Sequence, residues 1–176
     1  MNDLFYSEVW NGKEMEMSSP GWNHNRVSGN IYRYLYDQFD GDYIITQEPN
    51  LHISDKLRFI PDIVICRSEI IQNNGIYEAP ELIIEILSTS TGNVDKRFKF
   101  DSYFDFGVKE YWLVEPLGRF VDVYVDRKLW NSFHYATDDV YKILSSAQKE
   151  RIVTKMESFT FGSIELELKN IFKGVR

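Results

Sequence analysis

Two acidic residues stand inside apolar segments, where a charge is costly. Glu85 lies at the centre of ELIIEILS, residues 81–88, and Asp62 follows Pro61 in RFIPDIVIC, residues 58–66. An isolated buried carboxylate normally pairs with a cation, takes up a proton or binds a metal. If the two segments are neighbouring strands, both carboxylates can converge on one cation. Such a pair would meet the needs of Mg²⁺, a hard ion that binds one or two carboxylates while keeping waters and room for a phosphate.

A further oxygen and a cation can be assigned to the same site. The backbone carbonyl of Ile86, next to Glu85, can supply one more metal ligand. Asp95, Lys99 and Tyr103 recur at intervals of four residues, so they share one stripe of a helix. A lysine on that stripe can project over the sheet, offset the strand carboxylate and stabilise negative charge in phosphoester cleavage. This spacing predicts that the Lys99 ammonium lies close to the Glu85 carboxylate.

Hydrophobic periodicity indicates the elements that must position these residues. In ELIIEILS, Leu82, Ile84 and Ile86 share one face of a strand and Glu85 lies on the other. Both faces are mostly apolar, which is typical of a central strand covered on both sides. The Asn-Gly pair within EVWNGKEM, residues 8–15, predicts a β-hairpin.

The same reading predicts an α/β protein. We expect helices within 22–39 and over 93–106, the second ended by Gly107, and strands over 43–47, 50–54, 61–66, 80–87, 110–115, 119–126 and 129–135. Their order indicates a βαβ unit inside an otherwise antiparallel sheet. Two short strands and a turn within 152–172 should pack at the edge of that sheet.

Composition limits the classes of protein that fit. The chain has 176 residues, of which 43% are hydrophobic, enough for one domain over residues 1–176. A net charge of −7 argues against a broad basic surface for nucleic acid, so any phosphate-binding region must be local. No apolar run approaches the length of a bilayer span. Because the single cysteine, Cys66, excludes an internal disulfide and suits a reducing compartment, we expect a cytoplasmic protein.

Motifs spread over most of the chain resemble one known family. They are NGKEMEMSSPGWNH near the start, the PD pair, the strand EILS, a helical D-x-x-x-K, GVKEYWLVEP and the closing FGSIELELKNIF. Together they are similar to the Uma-two (Uma2) family, a branch of the PD-(D/E)XK nuclease superfamily. The resemblance implies a restriction-endonuclease-like fold, a mixed β-sheet flanked by helices. It also implies an Mg²⁺- or Mn²⁺-dependent endonuclease that hydrolyses phosphodiesters of nucleic acid, DNA in the first place, with a metal-activated water.

The resemblance assigns roles residue by residue. Asp62 matches the aspartate of PD and Glu85 the acidic residue of the second motif, which makes both metal ligands. Lys99 matches a lysine that this branch carries on the following helix, and His24 matches the family's histidine at the first helix, an optional contributor at the mouth of the site. Leu87 stands where an ordinary E-x-K motif has its lysine. Activity therefore requires Lys99 to reach the site from the helix.

Each of these residues also has a structural interpretation. Glu85 could be a lone, partly exposed strand residue, and an aspartate after proline, such as Asp62, is commonly a turn residue. Asp95 and Lys99 match an ordinary surface ion pair, and His24 needs no catalytic role in a first helical turn. Three aromatic residues could stack on bases but are more typical of a core: Tyr103, Tyr111 and Trp112. The alternative function is a non-catalytic nucleic-acid-binding or assembly module, and a homodimer is compatible with either.

Overall fold

Short alternating segments and two longer helical ones give the chain a mixed α/β architecture. The computed structural model describes residues 7–39, 41–88, 93–150 and 152–176, and of residues 93–96 the backbone alone. The strands are β1 (Ser7–Trp10), β2 (Lys13–Glu16), β3 (Tyr43–Gln47), β4 (Leu51–Ser54), β5 (Leu57–Phe59), β6 (Ile63–Arg67), β7 (Ile71–Gln72), β8 (Gly75–Ile76), β9 (Leu82–Ile86), β10 (Glu110–Glu115), β11 (Phe120–Val125), β12 (Lys128–His134), β13 (Lys155–Ser158) and β14 (Gly162–Glu167). The helices are α1 (Trp22–Leu35), α2 (Asn93–Phe106), α3 (Asp138–Ile143), α4 (Ser146–Lys149) and α5 (Leu168–Ile171).

The central sheet has six strands in the order β12-β11-β10-β9-β6-β3. β9 and β10 are parallel and joined by α2, whereas the other neighbouring pairs are antiparallel. This confirms the predicted βαβ unit in an otherwise antiparallel sheet. β9 has partners on both sides, as its two apolar faces predicted.

A second six-stranded sheet, with the order β2-β1-β5-β4-β8-β7, lies on the α2 side of the molecule. The sequence did not predict it as a separate sheet, because β5, β7 and β8 have three, two and two residues, too few to show a period of two. α2 packs between the two sheets. Phe59 from β5, Tyr103 from α2 and Ile83 from β9 share this core.

The opposite face of the central sheet is covered by α1 and by the closing β13–β14 hairpin. Ile31 of α1, Ile84 of β9 and Leu166 of β14 belong to one buried cluster. The expectation that the closing strands pack at the sheet's edge is therefore wrong. Alternation of Ile164 and Leu166 showed which side is buried, but it could not show which surface covers that side.

A buried glutamate of the GVKEYWLVEP motif fixes the hairpin in this place. Glu110 is inaccessible to solvent, and its carboxylate accepts hydrogen bonds from Trp112 Nε1 at 2.7 Å, Ser158 Oγ at 2.8 Å and the Thr160 amide at 2.8 Å. Each bond satisfies part of a carboxylate that would otherwise be costly to bury. The motif therefore joins β10 to the turn of the hairpin.

The turn predictions at the first hairpin and at the end of α2 are confirmed. Asn11 and Gly12 join β1 to β2 with φ of 50° and 79°, the positive values that an Asn-Gly hairpin turn requires. Gly107 ends α2 with φ of 110°. α1 ends earlier than the predicted limit, at Leu35, and continues as a short 3₁₀ turn. Within the described residues, no helix combines the length and apolar character needed to cross a membrane.

Candidate active site

A cavity of about 280 Å³ opens beside the end of β9. Its lining includes every residue that the sequence assigned to the site: His24, Asp62, Glu85, Ile86 and Lys99. Residues of the β1–β2 hairpin and of the loop before α1 form the other wall. The predicted residues thus come together from α1, from the residue just before β6, from β9 and from α2.

Strand pairing places the two carboxylates next to each other. β6 and β9 are antiparallel, with Ile63 opposite Ile84, so the next pair in the same register is Asp62 and Glu85. The Asp62 and Glu85 side chains are 14% and 15% exposed. Asp62 Oδ2 accepts a hydrogen bond from the Ile86 amide at 2.7 Å. The expected convergence of the two acidic residues is therefore present.

His24 lies in the first turn of α1 and reaches Asp62. The distance from His24 Nε2 to Asp62 Oδ1 is 3.0 Å, and the imidazole is 10% exposed. Burial lowers the pKa of His24, but the interactions with Asp62, Glu85 and Asn25 together outweigh burial, so this pKa is raised above its ordinary value of 6.5. Nδ1 is buried without a hydrogen-bond partner among the described residues. His24 thus lines the cavity and contacts Asp62 there.

Lys99 projects from α2 into the cavity. Its Nζ lies 2.9 Å from Glu85 Oε1 and 2.8 Å from Glu8 Oε1, and the side chain is 11% exposed. The predicted proximity to Glu85 is confirmed, and the interpretation of Lys99 as a surface residue is wrong. The side chain of Asp95 lies outside the described residues. Burial lowers the pKa of Lys99, but Glu85 and Glu8 reverse this effect and leave it above its ordinary value.

Glu8 is a member of the site that sequence reasoning missed. It is buried in β1, where Oε1 also accepts the Ile60 amide at 2.9 Å and Oε2 accepts Trp10 Nε1 at 2.9 Å. These bonds fix the carboxylate that holds Lys99. A strand of four residues is too short to show an acidic residue inside an apolar run, which is the signal that identified Glu85.

Tyr103 completes the surroundings of Glu85. Its hydroxyl donates a hydrogen bond to Glu85 Oε1 at 2.6 Å. Tyr103, Tyr111 and Trp112 are all buried, which confirms their interpretation as core residues. Burial raises the pKa of Glu85, Lys99 lowers it and Asp62 raises it again, to a result of about 7 from an ordinary 4.5.

The donor atoms suit a small, hard divalent cation. An extended residue points its N–H and C=O to the same side, so the Ile86 carbonyl faces the strand edge where its amide meets Asp62. Two carboxylates and one carbonyl leave room for the waters and phosphate oxygens that Mg²⁺ normally keeps. Among the described residues, no group of three or more His, Cys, Asp or Glu side chains is arranged to hold a metal ion. Any ion held by the two carboxylates and the Ile86 carbonyl would therefore need water or substrate oxygens as its remaining ligands.

We expect Glu85→Gln to stabilise the metal-free protein at about pH 8. Because the pKa of Glu85 in the folded state is about 7, above its ordinary 4.5, the wild type loses stability as the pH rises through this interval. The loss corresponds to about 3 kcal/mol, which the variant avoids while its amide oxygen still accepts from Lys99 and Tyr103. Thermal unfolding in chelator at about pH 5.5 and pH 8 measures the effect.

The difference in melting temperature between Glu85→Gln and wild type should shrink at the lower pH, where the wild-type carboxyl is protonated. Glu81→Gln is the control, since Glu81 is a buried acidic residue at the other end of the same strand, paired with Arg67 and Lys109. That variant should lose stability at both pH values. Strong destabilisation by Glu85→Gln at about pH 8 would instead show that Glu85 is needed as a charged structural partner.

The chain is similar to a known family and to a protein of solved structure. A family model, Uma2, with the description "Putative restriction endonuclease", matches residues 2–154. Among solved structures, the chain is similar to a putative nuclease belonging to DUF820 from Anabaena variabilis ATCC 29413, with 19% sequence identity and a TM-score of 0.62. The match covers 94% of this chain and 89% of that chain, and it shows that the two share a fold. No curated protein matches the chain.

Proposed function

The chain belongs to the Uma2 family and has a restriction-endonuclease-like fold, and on that premise we propose that it is a metal-dependent endonuclease acting on nucleic acid, DNA in the first place. One observation carries the proposal. A single cavity contains two adjacent carboxylates, Asp62 and Glu85, and the ammonium group of Lys99. Charges of both signs at one half-buried point suit a phosphodiester and its developing negative charge.

Asp62, Glu85 and the Ile86 carbonyl would hold Mg²⁺ or Mn²⁺. Such an ion supplies charge neutralisation at a phosphate and lowers the pKa of water. The Lys99 ammonium has three N–H donors, of which Glu8 and Glu85 can accept two, and the third would bind a water or a phosphate oxygen. His24 holds the orientation of Asp62.

Lys99 supplies from a helix the positive charge that Leu87 does not provide on the strand. Both Leu87 and Lys99 line the cavity. Held between two carboxylates, the ammonium stays charged at neutral pH because its pKa is raised. It can therefore act by charge and orientation.

The same cluster suits the second candidate function, a non-catalytic nucleic-acid-binding or assembly module. Glu8, Lys99, Glu85 and Tyr103 satisfy one another by hydrogen bonds without any added ion. Such networks also occur for structural reasons alone. Binding of a divalent ion distinguishes the two functions, since a purely structural cluster has no need of one.

We expect the purified protein to cleave DNA or RNA in Mn²⁺ and to leave both intact in chelator. A panel of single-stranded, double-stranded, linear and circular substrates measures this. Because an ion that binds only the folded state stabilises it, Mn²⁺ at about 100 times its dissociation constant should add about 2.7 kcal/mol to the free energy of unfolding. Absence of cleavage together with an unchanged melting curve in Mn²⁺ would favour the non-catalytic module.

A further inference from the structure

An exposed tryptophan at the start of α1 lies close to two arginine side chains. Trp22 is 56% exposed, and the guanidinium carbons of Arg26 and Arg176 lie 5.3 Å and 5.2 Å from the centre of its ring. This is the distance of a cation–π interaction, which is weak at an exposed site. Trp22 and the two guanidinium groups thus form one exposed cluster of an aromatic ring and positive charge.

The closing segment of the chain is fixed along α1 so that this cluster forms. Asn23 donates to a backbone oxygen of Arg176 at 2.8 Å and accepts from the Arg176 amide at 2.9 Å. Asn30 donates to the carbonyls of Ile171 and Lys173, both at 2.9 Å. Four side-chain hydrogen bonds to backbone thus hold Arg176 beside Trp22.

Gly174 allows the close approach. Its φ is +83°, and a Cβ atom there would lie 3.2 Å from Arg26 Nε. A larger residue would be strained and would press on the guanidinium. The chain therefore passes Arg26 at short range, and the two arginines share one small surface.

The cluster lies at the same end of α1 as the candidate active site. Trp22 and His24 both lie in the first turn of α1, and His24 lines the cavity. Two residues correspond to about 200° of helical rotation, so the two rings point to opposite sides of a helix about 10 Å thick. The first turn carries no acidic residue, and no side chain caps it at Gly21, which leaves backbone N–H groups and the positive end of the helix for an anion.

The charge of the remaining chain makes this cluster distinctive. The net charge is −7, and both Lys99 and His24, which line the cavity, already contact carboxylates. A polyanion therefore needs a local positive surface next to the cavity. Trp22 with Arg26 and Arg176 offers aromatic and guanidinium planes for a base and charge for phosphates.

We propose that Trp22, Arg26 and Arg176 bind the nucleic-acid strand that leaves the cavity, with a base stacked on the cluster and phosphates beside the guanidinium groups. This inference rests on the proposed function for the identity of its ligand. It does not depend on cleavage.

Binding of a fluorescent single-stranded oligonucleotide to the full chain in chelator, where metal-dependent cleavage is blocked, tests the inference. Trp22→Ala should weaken binding about 5- to 150-fold, the range for loss of one stacked base. Arg26→Gln should reduce the slope of log affinity against log salt by about 1. Trp22→Phe should restore most of the affinity lost in Trp22→Ala, because stacking tolerates any aromatic ring.

Arg33→Gln is the matched control. Arg33 is exposed on the same helix, carries the same charge and lies 5.9 Å from the centre of the Tyr34 ring, but it is two turns further from the cavity end. The Arg33→Gln substitution should leave the affinity for the oligonucleotide and the slope of log affinity against log salt unchanged. Melting curves of the exposed-site variants should match the wild type.

Three results would overturn the inference: unchanged binding in Trp22→Ala and Arg26→Gln, equal losses in Arg33→Gln, or a wild type that does not bind the oligonucleotide. Competition by polyglutamate at equal charge concentration would also contradict it, since an acidic peptide offers no base to stack. Failure of the nuclease proposal looks different. Cleavage would then be absent in Mn²⁺, while Trp22→Ala and Arg26→Gln would still bind the oligonucleotide more weakly than Arg33→Gln.

Discussion

Asp62→Asn is expected to lower metal-dependent cleavage by about 10²- to 10³-fold or more, as does loss of one group that stabilises the transition state. The variant removes one of the two adjacent negative charges that would hold the ion. The amide oxygen can still accept the Ile86 hydrogen bond that Asp62 Oδ2 accepts at 2.7 Å, so the strand end should remain ordered. Initial rates in Mn²⁺ measure the activity, and melting curves in chelator check the fold.

Asp122→Asn provides the matched control for this experiment. Asp122 is a half-buried carboxylate on β11 of the same sheet, where it accepts a hydrogen bond from Ser132, but it does not line the cavity. The Asp122→Asn protein should cleave at the wild-type rate. Equal cleavage by wild type and Asp62→Asn would contradict the role of Asp62 as a ligand, provided that the activity elutes with the protein peak in gel filtration and so does not come from a contaminating nuclease.

Glu85 could be predicted because it departs from a strong local pattern, whereas the assignment of Asp62, an aspartate after proline, also needed the family resemblance. A carboxylate in an otherwise apolar strand has few inexpensive explanations, and β6 and β9 pair as neighbours with the register that brings the two together. Lys99 could be predicted because a helix of fixed period follows β9 and returns across the same face. For these three residues, the chemistry of the side chains and the regular geometry of strands and helices indicated the same site.

The remaining features depend on contacts that have no local signature. Glu8 enters the site because β1 pairs with β5 of the second sheet, which is built from strands too short for periodicity. Trp22 and Arg176 meet because Asn23, the neighbour of Trp22, is hydrogen-bonded to Arg176, 153 positions further along the chain. Such contacts follow from the tertiary fold, so the sequence alone could not predict Glu8 as the partner of Lys99.

Lys99→Met is expected to destabilise the metal-free protein by about 3 to 5 kcal/mol, the usual cost of removing one partner of a buried ion pair. For a chain of this size the loss corresponds to a fall of roughly 6 to 20 °C in melting temperature. Lys99 holds two carboxylates, Glu8 at 2.8 Å and Glu85 at 2.9 Å, and both would remain near each other without a cation. Thermal and urea unfolding in chelator measure the loss.

The dependence of this loss on pH identifies its cause. The pKa of Glu85 is raised to about 7 even though Lys99 lowers it, so removing the ammonium should raise it further. In the variant, stability should fall with rising pH over a wider interval than in the wild type, and the difference between the proteins should be largest above about pH 8.

Adding Glu8→Gln and Glu85→Gln to Lys99→Met should recover most of the loss, because the uncompensated charges are gone. Arg97→Met, on the same helix with an 87% exposed side chain, should change stability by no more than about 0.5 kcal/mol. If Lys99→Met were as stable as Arg97→Met at about pH 8, the buried Glu8–Lys99–Glu85 cluster would not exist in solution, and Lys99 would lose the contacts that place it in the site.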